Sequence, residues 1–225
     1  MHPLKYKNMT SSYESLGIRP IINALASLTM LGGSLMPEEV RKAMDQAAGS
    51  FVDLHQLQLS VGERLAELTH NEAAYVSCGA ASGLLLATAA CISRHTADAY
   101  EDFSKLNGVP NEVIVQKMHR NSYDYAVQEA GAKMVEIGSN EGTQIEDLER
   151  AVSPATVAIF WFQGAMNDPS ELSLKDVIRS AGKHKVPVIV DAAAQLPPVS
   201  NLWNYTQQGA DLVIFSGGKD LAGPQ

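Results

Sequence analysis

Cysteine is nearly absent: Cys78 and Cys91 are the only two in 225 residues, and they form no CxxC pair. A disulfide framework or a zinc cage therefore has nothing to stand on. Positive charge is also scarce. Seventeen Lys and Arg face 25 Asp and Glu, for a net charge of −8, which disfavours a broad phosphate-binding surface for nucleic acid. Long apolar runs are missing as well. The longest candidate, Gly83 to Ile92 (GLLLATAACI), is about half of the ~20 residues that a membrane span requires. The opening MHPLKYKNMTSSYESLG is polar and lacks the apolar core of a secretory leader, so the chain reads as cytoplasmic. The histidines His2, His55, His70, His95 and His184 show no metal-ligand spacing.

What is present is ordinary globular material: 45% hydrophobic and 19% charged residues. That is enough for one large core or two small ones, and it argues against disorder. A helix is predicted over PEEVRKAMDQAAG, with proline in its first turn, acids at its positive end and Gly49 as its stop. A second helix, from about Gln56 to Thr69, places Leu57, Val61, Leu65 and Leu68 on one stripe. Ala73 to Ser77 (AAYVS) reads as a short strand, followed by CGAASG and a long Ala/Leu-rich helix.

Five further strand-like runs follow: Glu112 to Lys117, Lys133 to Gly138, Thr156 to Phe162, Val186 to Asp191 and Ala210 to Ser216. Helical stretches separate most of them, at about Ser122 to Ala130, Ile145 to Val152, Leu172 to Gly182 and Leu202 to Gln208. Short β-branched runs alternating with amphipathic helices imply crossover connections. The expected class is α/β, with a mostly parallel sheet covered on both faces in three layers.

Ligands of such sheets sit beyond the carboxyl ends of the strands. Four features share that address. Gly79, Ala80 and Ala81 open a helix with small residues, leaving backbone N–H groups accessible to an anion. The same residues would also serve tight helix–strand packing, and no GKS or GKT follows to make a P-loop. His119 follows a strand and could stack on an aromatic ligand or exchange a proton, although a capping or surface role is equally ordinary. Asp191 ends VPVIV at the edge of the core, where an unpaired carboxylate is costly. It needs either a cationic partner or a structural hydrogen bond. Lys219 stands in SGGKD, two glycines after Ser216, where desolvation could free its amine for attack on a carbonyl.

Each feature alone has a bland explanation. Together they supply an amine for an imine, a carboxylate for a ring nitrogen, a flat group for the ring face and backbone donors for a phosphate. The cofactor that requires this set is pyridoxal 5′-phosphate (PLP). A nucleotide- or sugar-phosphate-binding protein that uses Gly79 to Gly83 for phosphate and Lys219 as a point charge stays open at this stage.

From about Tyr13 to the last residue the chain resembles fold-type I PLP-dependent enzymes. Within them it resembles the branch holding L-seryl-tRNA(Sec) selenium transferase and D-glucosaminate-6-phosphate ammonia-lyase. The resemblance rests on YESLGIRPIINA, YVSCGAASG, QKMHRNSYDYA, VIVDAAAQLPP and FSGGKDLAGPQ.

The resemblance implies a PLP-binding large domain of aspartate aminotransferase-like fold over residues 37–225, preceded by an N-terminal segment at 1–36, with the small C-terminal domain missing. By the same resemblance Lys219 matches the imine lysine, Asp191 the partner of the pyridine nitrogen, and His119 the residue over the ring. Gly79, Ala80 and Ala81 match the phosphate turn, Ser216 a hydroxyl donor to the same phosphate, Gln195 a partner of the phenolic oxygen, and Asn23 a position near the substrate.

The implied activity is α-proton abstraction and β-elimination on a small amino acid or amino-sugar acid, in a homodimer or larger homo-oligomer. The alternatives are β-replacement on seryl-tRNA, which the net charge disfavours, and a truncated, non-catalytic remnant of the fold.

Overall fold

The computed structural model describes residues 12–95, 108–162, 164 and 169–224. Four helices come first: α1 (Ser12–Ser15), α2 (Glu38–Ala47), α3 (Leu54–Thr69) and α4 (Ala80–Ser93). Strands and helices then alternate as β1 (Glu112–Gln116), α5 (Tyr125–Glu129), β2 (Lys133–Ile137), α6 (Ile145–Ala151) and β3 (Thr156–Phe162). They continue as α7 (Leu174–His184), β4 (Val188–Asp191), α8 (Asn201–Gln207) and β5 (Leu212–Ile214). The sheet has the order β2-β1-β3-β4-β5 and every pairing in it is parallel.

Alternation along the strands builds two cores. Val113, Val115, Ala158, Phe160 and Ile189 face Leu84, Ala87, Cys91 and Ile92 of α4 and Val127 of α5. Their neighbours Ile114, Ile159, Trp161, Val188 and Val190 face Leu148 of α6, Val177 and Ala181 of α7 and Tyr205 of α8. A strand buried on both faces has no polar positions to spare, which is why these runs are continuously apolar. The expected three-layer α/β architecture is thus observed.

Helix ends follow local chemistry. Asp53 accepts the Gln56 N–H at 2.9 Å to cap α3, and Ser173 caps α7 by accepting from Asp176 N. That cap moves the start of α7 two residues past the expected Leu172, and the helix runs on to His184. The helix expected from Ser122 shortens to α5, because Asn121 Oδ1 accepts from Tyr123 N and turns the chain there.

One expected strand is not formed. Ala73 to Ser77 joins no ladder among the described residues. It packs on α3 instead: Gln58 Nε2 donates to Val76 O at 2.8 Å, and Gly62 lies so close that an added Cβ would stand 2.5 Å from Ala74 O. An apolar, β-branched run specifies an extended backbone, but a strand also needs a neighbour to pair with. His119 consequently follows the first strand of the sheet rather than the second, and Asp191 ends the fourth. The predicted stripe of α3 also differs, since Gly62 and Ala66 are the buried residues while Leu57 and Leu68 stay exposed.

No helix among the described residues is long and apolar enough to cross a membrane.

Candidate active site

The order β2-β1-β3-β4-β5 reverses direction between β1 and β3, and the ligands of such sheets bind beyond the carboxyl ends of the strands. Each sequence-predicted group except Asn23 lies in that layer or at its border. The register makes this explicit. Phe162, the last residue of β3, pairs with Asp191 of β4, and Asp191 pairs with Ile214 of β5. Ala192 N then donates to Ile214 O, and Ser216 N to Ala193 O, which leads the loop carrying Lys219 past Asp191.

Asp191 is only 3% exposed. Ala193 N donates to its Oδ1 at 3.0 Å, and no donor among the described residues reaches Oδ2. Burial pushes its pKa up, opposed in part by the Ala193 hydrogen bond and the Lys219 charge. This is a carboxylate half-satisfied in a poorly solvated place, and a cationic N–H donor would complete it.

The Lys219 loop is a compact turn. Ala222 N donates to Lys219 O and Gly223 N to Gly217 O, at 2.8 and 2.7 Å. It is also tied to the N-terminal segment, through contacts that sequence reasoning missed. Ser34 N donates to Gly218 O at 2.9 Å, Ser34 Oγ donates to Gly218 O and Lys219 O, and Ser27 Oγ donates to Asp220 Oδ2.

The turn before α4 is shaped for close approach. Gly79 takes φ 123°, a conformation that favours glycine, and the helix has no side-chain cap. The first N–H groups of α4 are therefore left for an outside acceptor. Gly83, one turn on, serves packing: a Cβ there would stand 3.1 Å from Ile214 Cγ2. The packing reading of the small-residue run is thus met at Gly83, while Gly79 leaves an uncapped helix start.

His119 is 3% exposed, with its ring edge-on to Trp161. Its Nδ1 accepts from Phe162 N at 3.2 Å, and its Nε2 lies 3.4 Å from Glu171 Oε2. Burial lowers its pKa, and Glu171 offsets part of that. Glu171 was not visible in the sequence as a site residue.

Gln195 is held in the loop after β4, where Asn201 Nδ2 donates to its carbonyl at 2.6 Å. Asn23 is not brought to the others. Its amide closes its own turn, donating to Ala26 O and accepting from Leu25 N. Among the described residues no cluster of three or more His, Cys, Asp or Glu side chains is placed to hold a metal ion.

No family model matches the chain. The chain is 34% identical over 222 residues to a 5′-C-glycyluridine monooxygenase-decarboxylase of a Streptomyces species, covering 96% of this chain and 55% of that protein. It is 31% identical to the D-glucosaminate-6-phosphate ammonia lyase of Salmonella typhimurium, over 94% of this chain and 58% of that one. An L-seryl-tRNA(Sec) selenium transferase of Moorella thermoacetica is 29% identical over 92% and 47% of the two chains. The chain spans about half the length of the curated relatives it matches.

A solved D-glucosaminate-6-phosphate ammonia-lyase superposes with a TM-score of 0.85 at 31% identity, over 92% of this chain and 56% of that one. At 12% identity, and so by fold alone, Oryza sativa TDC solved with PLP and tryptamine superposes at 0.59, over 96% and 58%. The chain thus has the large-domain fold of the fold-type I PLP-dependent enzymes, and its sequence resembles the branch of D-glucosaminate-6-phosphate ammonia-lyase and the L-seryl-tRNA(Sec) selenium transferases.

Proposed function

We propose that the protein is a PLP-dependent enzyme that removes the α-proton of a small amino acid or amino-sugar acid and eliminates its β-substituent, in the manner of an ammonia-lyase. The observation that carries this reading is the placing of Asp191 and Lys219 beyond adjacent strands. A buried carboxylate with one bare oxygen stands there within electrostatic reach of a lysine on a glycine-rich turn.

The residues fit the cofactor. Asp191 Oδ2 would take the N–H of a pyridinium, which also relieves its burial. The uncapped N–H groups of α4 behind Gly79, with the Ser216 hydroxyl, would take the phosphate. Bound there, the cofactor supplies an electron sink for the charge left on the substrate's α-carbon. Lys219 would hold the cofactor covalently until the substrate amine displaces it, and its freed Nζ would then take the α-proton. Asp191 would keep the ring nitrogen protonated, and His119 would pack against the ring. With the β-substituent gone, hydrolysis releases a 2-keto product and ammonia.

Residues 37–225 would form the cofactor-binding domain. Residues 1–36 would be an N-terminal segment, whose Ser34 is bound to the Lys219 loop. The reading includes a cytoplasmic location and a homo-oligomer. Net charge −8 weighs against a tRNA substrate.

The relative at 34% identity favours a second reading, oxidative decarboxylation of an amino acid. Both would hold the cofactor through Lys219 and Asp191, and they differ in what leaves the α-carbon, a proton taken by Lys219 or the carboxyl group as carbon dioxide.

The test is to mix the purified chain with PLP, reduce with borohydride, and map the modified peptide. Modification at Lys219, lost in Lys219→Ala, is the expected result; modification spread over surface lysines would overturn the cofactor reading. Ammonia and a 2-keto acid formed from amino-sugar acids support elimination. Oxygen uptake with carbon dioxide release supports the second reading instead.

A further inference from the structure

Both ring nitrogens of His119 are engaged inside the protein. A backbone N–H can only donate, so Nδ1, which accepts from Phe162 N at 3.2 Å, carries no proton when the imidazole is neutral. The proton then sits on Nε2, which lies 3.4 Å from Glu171 Oε2. Glu171 follows a stretch outside the described residues, yet it is held in place from the other side. Buried Gln116 grips the next peptide in both directions: its Oε1 accepts from Leu172 N at 2.7 Å and its Nε2 donates to Leu172 O at 3.3 Å. Trp161 Nε1 donates to the same carbonyl at 3.3 Å. Three strand-end residues therefore converge on the site: Gln116 of β1 and Trp161 of β3 fix Leu172, and Phe162 of β3 fixes the ring.

We propose that Glu171 is the positioning residue of His119: the Phe162 N–H selects the Nε2–H tautomer and Glu171 holds that Nε2–H in one orientation, so that His119 offers the site a ring face and not a mobile proton. This deepens the cofactor reading, because a ring face is what a bound pyridine needs, and it rests on that reading for its purpose. The lock itself belongs to the chain alone. It also revises the expectation that His119 works as an acid or base, since neither nitrogen is left to exchange a proton with a substrate. Among the described residues, the only charged side chain against the ring is that of Glu171; Trp161 and Gln116, from the two flanking strands, are neutral.

The experiment is long-range ¹H–¹⁵N correlation on ¹⁵N-histidine protein without added cofactor, with the His119 signals assigned by their loss in His119→Gln. At neutral pH the wild type is expected to give the wide nitrogen shift separation of a single neutral Nε2–H tautomer. Glu171→Gln keeps an acceptor oxygen and should keep that pattern. Glu171→Ala leaves the Phe162 N–H on Nδ1, so it should keep the tautomer while its Nε2–H, without the carboxylate, exchanges with water faster, with the other histidines unmoved as the control for folding. An Nδ1–H pattern in the wild type, or an unchanged Nε2–H exchange rate in Glu171→Ala, overturns the proposal. PLP is then added to the same samples: a correct tautomer with no modification at Lys219 would uphold the lock and sink the cofactor reading.

Discussion

Asp191 shows how a single residue can cost the fold what it gives the site. Its folded pKa is raised by burial, so its ionised form is disfavoured in the native chain. The sign follows from linkage. Below the unfolded value, near 3.9, the group is protonated in both states and costs nothing. As pH rises from there through the raised folded value, native stability falls. Asp191→Asn keeps an acceptor for Ala193 N and removes the charge. Without cofactor the variant should therefore melt above the wild type at neutral pH. A gain of ~1 kcal/mol would be ~2–4 °C for a chain of this size, and the gap should close as pH approaches 4. With PLP the order should reverse, because Asn gives a pyridinium no counter-charge. Calorimetry of both proteins, with and without PLP, at pH 4 and pH 7 checks this. A wild type that melts higher at pH 7 without cofactor would mean that Asp191 is already paired within the chain.

At the scale of elements, the sequence was readable where a pattern is local. The strands β1 to β5 stand inside the expected runs; β1, β3 and β4 carry apolar side chains on both faces, while β2, at the sheet edge, keeps Lys133 and Glu136 exposed. Asp191, Ser216 and Lys219 were readable for a related reason, as strand ends and glycine turns mark the edge of the core. Ala73 to Ser77 misled because its composition fixes an extended backbone and says nothing of a partner. Ser34 and Glu171 could not be seen at all: they act on Lys219 and His119 across 185 and 52 positions, and no spacing rule spans such gaps.

The contact that replaces the missing ladder gives a prediction for this segment. An alanine Cβ at Gly62 would stand 2.5 Å from Ala74 O, and a main-chain oxygen cannot swing aside as a side chain can. Gly62→Ala, normally favourable in a helix by up to ~1 kcal/mol, should instead destabilise by about 1–3 kcal/mol. By moving the chain that leads into Gly79 it should also weaken PLP binding. Gly182→Ala in α7, where nothing lies within 4 Å, is the control and should be neutral or stabilising. Equal effects in the two variants would mean that α3 does not press on Ala74 in solution.

The whole molecule is lopsided. The sheet and its covering helices bury their apolar side chains, whereas residues 13–76 leave theirs bare: Ile22 and Leu35 are 97% and 96% exposed, and Leu16, Leu25, Met30, Leu54 and Leu59 are open beside them. So many open, large apolar side chains in one segment point to an interaction surface. Net charge −8 limits random association but does nothing to cover such a face. The same segment holds the Lys219 loop through Ser34, so whatever covers it also bears on the site. The homo-oligomer of the proposed function would cover it, through an isologous contact in which each face meets its twin. Sedimentation of the chain should then show a dimer or a multiple of one. The double variant Ile22→Glu, Leu35→Glu should sediment as a monomer with its far-ultraviolet dichroism intact, and should bind PLP more weakly as the Lys219 loop loses its backing. A wild-type monomer that binds an apolar dye strongly would place the cover elsewhere and remove the dimer from the functional reading.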